Sequence, residues 1–577
     1  MYRNIQIARR VELNWKNMQV KIKDEKSKKV SKRWLWAIYS FVFIALLLFA
    51  VVLYADNWLA NKLQSTVREK SNGVYALHLQ DAGVRIFAGE ITLDSIHLEP
   101  DFERWQQLPD SAQMPMLYNV QAEKIFLDGL SFWNLIFSSP LRLDMLLIQR
   151  PEVHVYKMEA DENKASKPLH TQLKGRFKNL ALDSIRVDSA NFYYKSNYKH
   201  NYHDMAMLGI NLSVGDIVLD SAAYKDEARV YYAKSIVASA AKSDILSAQG
   251  AYRIKTAAIK MNSITHILDA EQVRLVPLYS AKEMSERAGE AVTWMEGEVP
   301  ALRAEEVDFN ALVSKSDYMA GTVTIKSPKL HAYADFKHFD RKGNKEMPHQ
   351  MVQRMKSVLD IDSISVQDFY LKYEELVEEA DTIGYITFEN SNITITNLTN
   401  IPGQISVDNP AIVRASTKVQ GSAPLSFTIQ LPLLNENYYH RINGTVGAFE
   451  PEIVNSILEP SSFVTVESGH VSKGEFSFEL NEVTATGTML ILYNNLEVEL
   501  LSKKADVRQT LGQEVISEVI NWVAIKEENP DEKGEKPRVA QVNVSRNPKK
   551  SVFNYWKDCL GDGILSTLGL QKRAKKL

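Results

Sequence analysis

The residues with the most chemistry to offer are His200 and His203 with Asp204 beside them, two imidazoles and a carboxylate close enough to ligate a transition metal. Nothing else in the chain completes such a shell. The other histidines among the twelve are scattered, and Cys559 is the lone cysteine, so neither a Cys-based metal site nor an intramolecular disulfide is available. The pair reads as part of a solvated loop. No nucleophile elbow, phosphate loop, zinc-protease motif or dinucleotide fingerprint occurs. The acidic run from Glu374 to Asp381 reads as solvated surface, and the Asn-x-Ser/Thr sequons at Asn211, Asn392, Asn397, Asn443 and Asn543 matter only in a secretory pathway. We therefore expect no catalytic residue, no cofactor and no metal.

Composition points away from chemistry as well. The chain has 577 residues, 45% apolar and 24% charged, with a formal charge of -3 that argues against a nucleic-acid partner. The charge is uneven: residues 1–33 hold eleven Lys or Arg against three Asp or Glu. Directly after them, residues 34–55 carry no charge over twenty-two positions, long enough for a transmembrane helix across a hydrocarbon core of about 30 Å. The basic flank keeps the N-terminus cytoplasmic and sends everything after residue 55 to the far side. Leu59, Leu63 and Val67 continue the helix beyond the span.

From Tyr75 onward the pattern is period-2 alternation, the signature of strands with one wet face: Tyr75-Ala-Leu-His-Leu, Ser95-Ile-His-Leu, Ser184-Ile-Arg-Val, Asn392-Ile-Thr-Ile. The stretch Gly73 to Tyr156 recurs. At a shift of 177, Gly73, Tyr75, Leu98, Pro100, Phe132, Leu135, Pro151, His154 and Tyr156 fall on Gly250, Tyr252, Leu275, Pro277, Phe309, Leu312, Pro328, His331 and Tyr333. With a two-residue slip, Asp183-Ser-Ile-Arg-Val matches Asp362-Ser-Ile-Ser-Val. The reading is a duplicated strand-rich unit. The chain divides into 1–33 (basic cytoplasmic segment), 34–55 (span), 56–250 and 251–424 (two β-rich units), 425–505 (C-terminal β region) and 506–577 (helical and basic tail). Short helices are expected at 130–137, 281–294, 351–359, 507–523 and in part of 552–570, a polar insertion at 101–113 and a mobile charged linker at 526–536.

The fold class is thus mostly β with one N-terminal transmembrane helix, an elongated and curled antiparallel sheet. So few helices leave the apolar face of twenty or more strands to be covered some other way, since exposing it forfeits roughly 25 cal/mol per Å². Either a second sheet packs on it, or it curls into a trough filled by an apolar ligand. The inward candidates are Ile185, Val187, Ile364, Val366, Ile393, Ile395, Phe476 and Phe478. At about 4.8 Å per strand, some 22 to 26 strands would make a rod of roughly 105 to 125 Å.

The N-terminal span, Gly73-Val-Tyr-Ala-Leu, Ile96-His-Leu-Glu-Pro-Asp, Leu127-Asp-Gly-Leu-Ser-Phe-Trp-Asn-Leu before Ile148-Gln-Arg-Pro-Glu-Val, and the Gly447 to Tyr493 ending together resemble the AsmA-like proteins of Gram-negative bacteria. That resemblance implies an inner-membrane anchor and a periplasmic, chorein-like β-groove that carries phospholipid tails towards the outer membrane. The partners it implies are membrane phospholipids and the inner membrane. The alternative is a structural or assembly factor whose β-domains bind other envelope proteins, with sandwich-packed sheets and no lipid.

Overall fold

The computed structural model describes residues 56–85, 87–130, 141–158, 168–172, 180–196, 204–501 and 525–569. The transmembrane expectation for 34–55, the helix at 507–523, all but the first residue of the turn-helix at 130–137, and His200 with His203 lie outside them. No helix among the described residues is long and apolar enough to cross a membrane.

Twenty-four strands form one sheet, and no second sheet covers it among the described residues. Its first unit runs β1 (Tyr75–His78) with β2 (Asp81–Arg85), β3 (Glu90–Pro100), β4 (Met116–Asp128), β5 (Leu141–Gln149) with β6 (Glu152–Lys157), β7 (Leu180–Lys195), β8 (Met205–Leu219), and β9 (Ala233–Ala240) with β10 (Lys242–Leu246). The second repeats the plan with β11 (Tyr252–Thr256) and β12 (Ala258–Asn262), β13 (Ile267–Pro277), β14 (Trp294–Glu305), β15 (Tyr318–Lys326) with β16 (Lys329–Asp335), β17 (Leu359–Leu376) and β18 (Gly384–Thr399). An antiparallel meander ends the sheet: β19 (Ala411–Val419), β20 (Ala423–Leu431), β21 (His440–Val446), β22 (Val464–Leu480), β23 (Thr484–Leu500) and β24 (Val539–Ser545). The helices are short: α1 (56–70), α2 (Phe102–Gln106), α3 (Leu169–Gln172), α4 (Ser221–Lys225), α5 (Ala281–Ala288), α6 (Phe309–Lys315), α7 (Pro348–Gln353), α8 (Asn455–Ser462) and α9 (Val552–Thr567).

Where two short strands share a neighbour they are halves of one row: β1 and β2 both pair with β3, and β5 and β6 both pair with β4. The same holds for β9 with β10, β11 with β12 and β15 with β16, so the 24 strands make nineteen rows. At about 4.8 Å per row the sheet spans roughly 86 Å. That is shorter than counting each half-strand as a row suggests.

The breaks line up as a crease along the sheet. Ser95, Arg150, Ser189, Gly209, Gln272, Ser327, Asp368 and Asn390 all take positive φ, and between them the line passes through the gaps at Ala241 and Ala257 and through Pro300, which lacks a ladder donor. A left-handed residue inside a strand shifts the alternation by one. Val214 and Ile217, flanking left-handed Asp216, accordingly join one core cluster although three residues apart. By the same shift Leu93 and Ile96, or Val366 and Phe369, keep to one face across the crease. The sheet is folded along its length with its apolar sets on one side.

The two halves match in register as well as order. Tyr75 pairs with Pro100 and Tyr252 with Pro277; Leu117 pairs with Tyr156 and Trp294 with Tyr333. The Tyr75 hydroxyl accepts from the Tyr118 amide at 2.9 Å, and the Tyr252 hydroxyl from that of Met295 at 3.2 Å. β7 and β17 each run parallel to the preceding row and carry the same register shifts, at Val187/Ala190 and Val366/Phe369.

Several local expectations change. The 101–113 insertion holds α2, capped by Asp101, whose Trp105 is buried and donates from Nε1 to the Met114 carbonyl at 3.0 Å. The helix expected to reach Trp294 stops at Ala288, because Gly289 follows in a left-handed conformation and Trp294 opens β14. The helix expected at 351–359 is α7, which ends at Gln353, and Leu359 opens β17. The linker at 526–536 is pinned by buried Asn529, whose Nδ2 donates to the carbonyls of Ile491 at 2.6 Å and Arg538 at 3.1 Å.

Candidate functional site

The apolar positions join into a ladder that crosses the sheet from β3 to β24. Ile91 and Leu93 stand opposite Leu127 and Ile125, and these opposite Leu146 and Ile148. Ile185 and Val187 come next, then Val214 and Leu212. The ladder passes through Ala238, Met261 and Leu268 to Val323 and Ile325. Ile364 and Val366 follow, facing Ile395 and Ile393. It goes on through Val413 and Ala415, Ile429 and Phe427, to Phe478 and Phe476. A second ladder runs beyond the crease: Leu98, Val120, Val153, Phe192, Met207, later Ile254, Leu275, Leu330, Leu371 and Phe388.

All eight inward candidates lie on the first ladder, and they fall into two environments. Ile185, Val187, Ile364, Val366, Ile393 and Ile395 are half-buried and flanked by one another, and Ile185 also packs against the cluster that holds Ala223 of α4 and Tyr232. Phe476 and Phe478 are 8% and 1% exposed, inside a core that α9 closes with Tyr555 and Cys559. These two are therefore not open to a ligand. Their place in the ladder followed from alternation, but the helix above them comes from a distant part of the chain. Phe476 has room only because Gly444 stands opposite; a Cβ there would sit 2.1 Å from its ring.

The other face is mainly polar, with apolar exceptions such as Leu490 and Val539. Beside Ile393 and Ile395 stand Asn392 and Thr394, and across the next rows Arg414, Thr428, Asn443 and Ser477, lining an open depression of about 820 Å³ on the side away from the ladders. No sequence signal pointed to it, because Ser, Thr and Asn at every second position are what any wet face requires.

Charge enters the apolar side at few places. Glu375, 3% exposed, accepts from the Tyr373 hydroxyl at 3.0 Å and meets Lys557 of α9 at 3.5 Å. Burial, with the Glu375 carboxylate adding to it, pushes the Tyr373 phenol far up and keeps it neutral. At the start of α7, His349 lies buried beside the buried His440 of β21, with ring centroids 5.8 Å apart. Desolvation, then repulsion from His440, lowers His349 to about 4. Burial pushes the Cys559 thiol up to about 12, so it stays protonated and unreactive. Among the described residues, no three His, Cys, Asp or Glu side chains are placed to hold a metal ion.

Neither a comparison with protein-family models nor one with curated proteins finds a match for this chain.

Proposed function

We propose that this protein is an inner-membrane-anchored, periplasmic carrier whose folded sheet, built from a duplicated unit, holds phospholipid acyl chains in its apolar trough and assists their transport to, or balance in, the outer membrane. One observation carries the reading: an apolar ladder runs unbroken from β3 to β22, with a second one, interrupted at Ser243, Thr256 and Gly297, beyond the crease, on a single sheet that no second sheet covers among the described residues. Such a surface needs an apolar occupant, because burying it is worth roughly 25 cal/mol per Å². An acyl chain fits. It would lose about 0.8 kcal/mol per CH₂ in water, yet it gains little in the trough relative to a bilayer, so it can enter and leave with a small barrier either way. Direction must then come from outside the groove.

The anchor end supports the same reading. The α1 helix follows directly on residues 34–55, and Asp56 at its start accepts from the Val84 amide of β2 at 2.7 Å, which ties the first row of the trough to the segment leaving the span. The test is mass spectrometry of organic extract from the purified full-length chain. Near-stoichiometric phospholipid is the expected result; its absence would favour an assembly factor that binds proteins.

A further inference from the structure

We infer that α9 is a displaceable lid over the last rows of the groove, and that the ladder beneath it is a concealed stretch of acyl-chain site. The inference rests on the groove reading above. What lies under the helix is the same ladder that stands open upstream: Val413 continues to Ile429, Ile442 and Phe478 without a break in register. Where the upstream rows are half-exposed, these are sealed by Tyr555 and Cys559 of α9. The helix thus occupies the place that an acyl chain would take one row further on.

Polar contacts fasten α9 to both walls. Lys557 reaches Glu375 on β17, Trp556 Nε1 donates to His440 Nε2 at 3.0 Å on β21, and Asp562 accepts from the Asn543 amide of β24 at 3.0 Å. The underside fits imperfectly. The Tyr555 hydroxyl is buried without a hydrogen-bond partner, in a residue that is 2% exposed. Leaving the closed position would let it reach water, so closure is opposed by a group it buries.

The helix is also weak by itself. Gly561 and Gly563 stand near its middle, where glycine disfavours a helix. Gly563 has a packing reason, since a Cβ there would come 2.9 Å from Met489 Cβ. Gly561 has none: nothing lies within 4 Å of where its Cβ would stand. A glycine that no neighbour requires loosens the one element that shuts the groove.

The test uses the full-length chain in vesicles of phosphatidylethanolamine and phosphatidylglycerol, with a phosphatidylethanolamine that carries a diazirine in its acyl chain. Adducts are mapped by peptide after illumination. With Cys559→Ser as background, Met489→Cys and Gly563→Cys place two Cβ atoms 2.9 Å apart, closer than the Cβ spacing of about 3.5–4.5 Å that a disulfide takes, so a small shift lets diamide lock the lid. Expected are adducts on both β17 and β22 in the reduced protein, and loss of those on β22 alone after oxidation, restored by reductant. Adducts on β22 that survive the lock, or β22 unlabelled in the reduced protein while β17 is labelled, overturn the lid. No labelling on either strand instead overturns the groove reading, and the lid with it. Should the double variant fail to fold, Gly561→Ala serves: a firmer helix must lower β22 labelling and leave β17 unchanged, and equal labelling of β22 refutes the lid.

Discussion

Ser189 of β7 and Asp368 of β17 share one backbone conformation, φ 53° in each, at equivalent points of the two units, and both side chains are exposed. Neither is glycine, so each accepts the strain of a left-handed residue within a strand in order to turn the row at the crease.

That strain is measurable. Ser189→Gly should leave stability unchanged or raise it by up to about 1 kcal/mol, whereas Ser189→Val should cost roughly 1–3 kcal/mol, because a β-branched side chain crowds the left-handed region. Chemical denaturation of the two variants checks this. Equal stabilities would mean that position 189 can relax out of the crease.

The open and closed parts of the ladder should answer differently to charge. Ile364→Asp with Val366→Asp lies on half-buried positions, so folding and Tm should change little while bound phospholipid falls; Ser365→Asp, on the polar face opposite Thr324 and Thr394, should do neither. Phe478→Asp buries an unpaired carboxylate and should cost several kcal/mol. Extracted lipid and thermal melts, read together, separate the cases. Unfolding of the Ile364/Val366 variant would mean those positions are covered after all.

Acid should weaken the end of the sheet. His349 is neutral in the fold with its pKa lowered to about 4, against 6.5 in the unfolded chain. Its contribution is complete above pH 6.5 and is lost as pH falls towards 4, by on the order of 3 kcal/mol in total. His440 is lowered too, chiefly by burial, and adds in the same direction. Denaturation from pH 7.5 to 4 should show stability declining below about 6.5, and His349→Gln should flatten the curve. A slope unchanged by His349→Gln would assign the loss to other groups.

The carboxylate at the outer row is a further point of control. Asp562 accepts from Asn543 on the free edge of β24, and an uncapped edge invites pairing with another chain. Asp562→Ala should increase self-association in sedimentation experiments, and an unchanged distribution would show that the edge is shielded by the helix itself.

Much of this was legible in the sequence, for a physical reason. Ile185, Val187, Ile364 and Val366 repeat at period 2 among polar neighbours, and a one-residue slip would turn every one of them to water, so pattern and register agree. The duplication was legible because matched residues such as Pro100 and Pro277 hold matched ladder positions. The crease was not, because all but one of its left-handed positions, Gly209, are filled by Ser, Arg, Gln, Asp and Asn, which carry no signal as sharp as glycine's. The burial of Phe476 and Phe478 was hidden for another reason. It depends on a helix that begins more than seventy residues later, at Val552, and alternation says nothing about what lies on top of a face.

The parallel step at β7 settles the direction of everything after it. The first unit contributes seven rows, an odd number, and a purely antiparallel meander of seven would start the next unit upside down, exchanging the two sides of the crease. One parallel neighbour, β7 beside β5 and β6, cancels that inversion, so β11 and β12 run the same way as β1 and β2, and β17 resets the count again. The units are therefore related by translation rather than by reversal. A chain built this way can lengthen by whole units with its walls still in line, whereas gain or loss of a single row would swap left for right in all the sheet downstream.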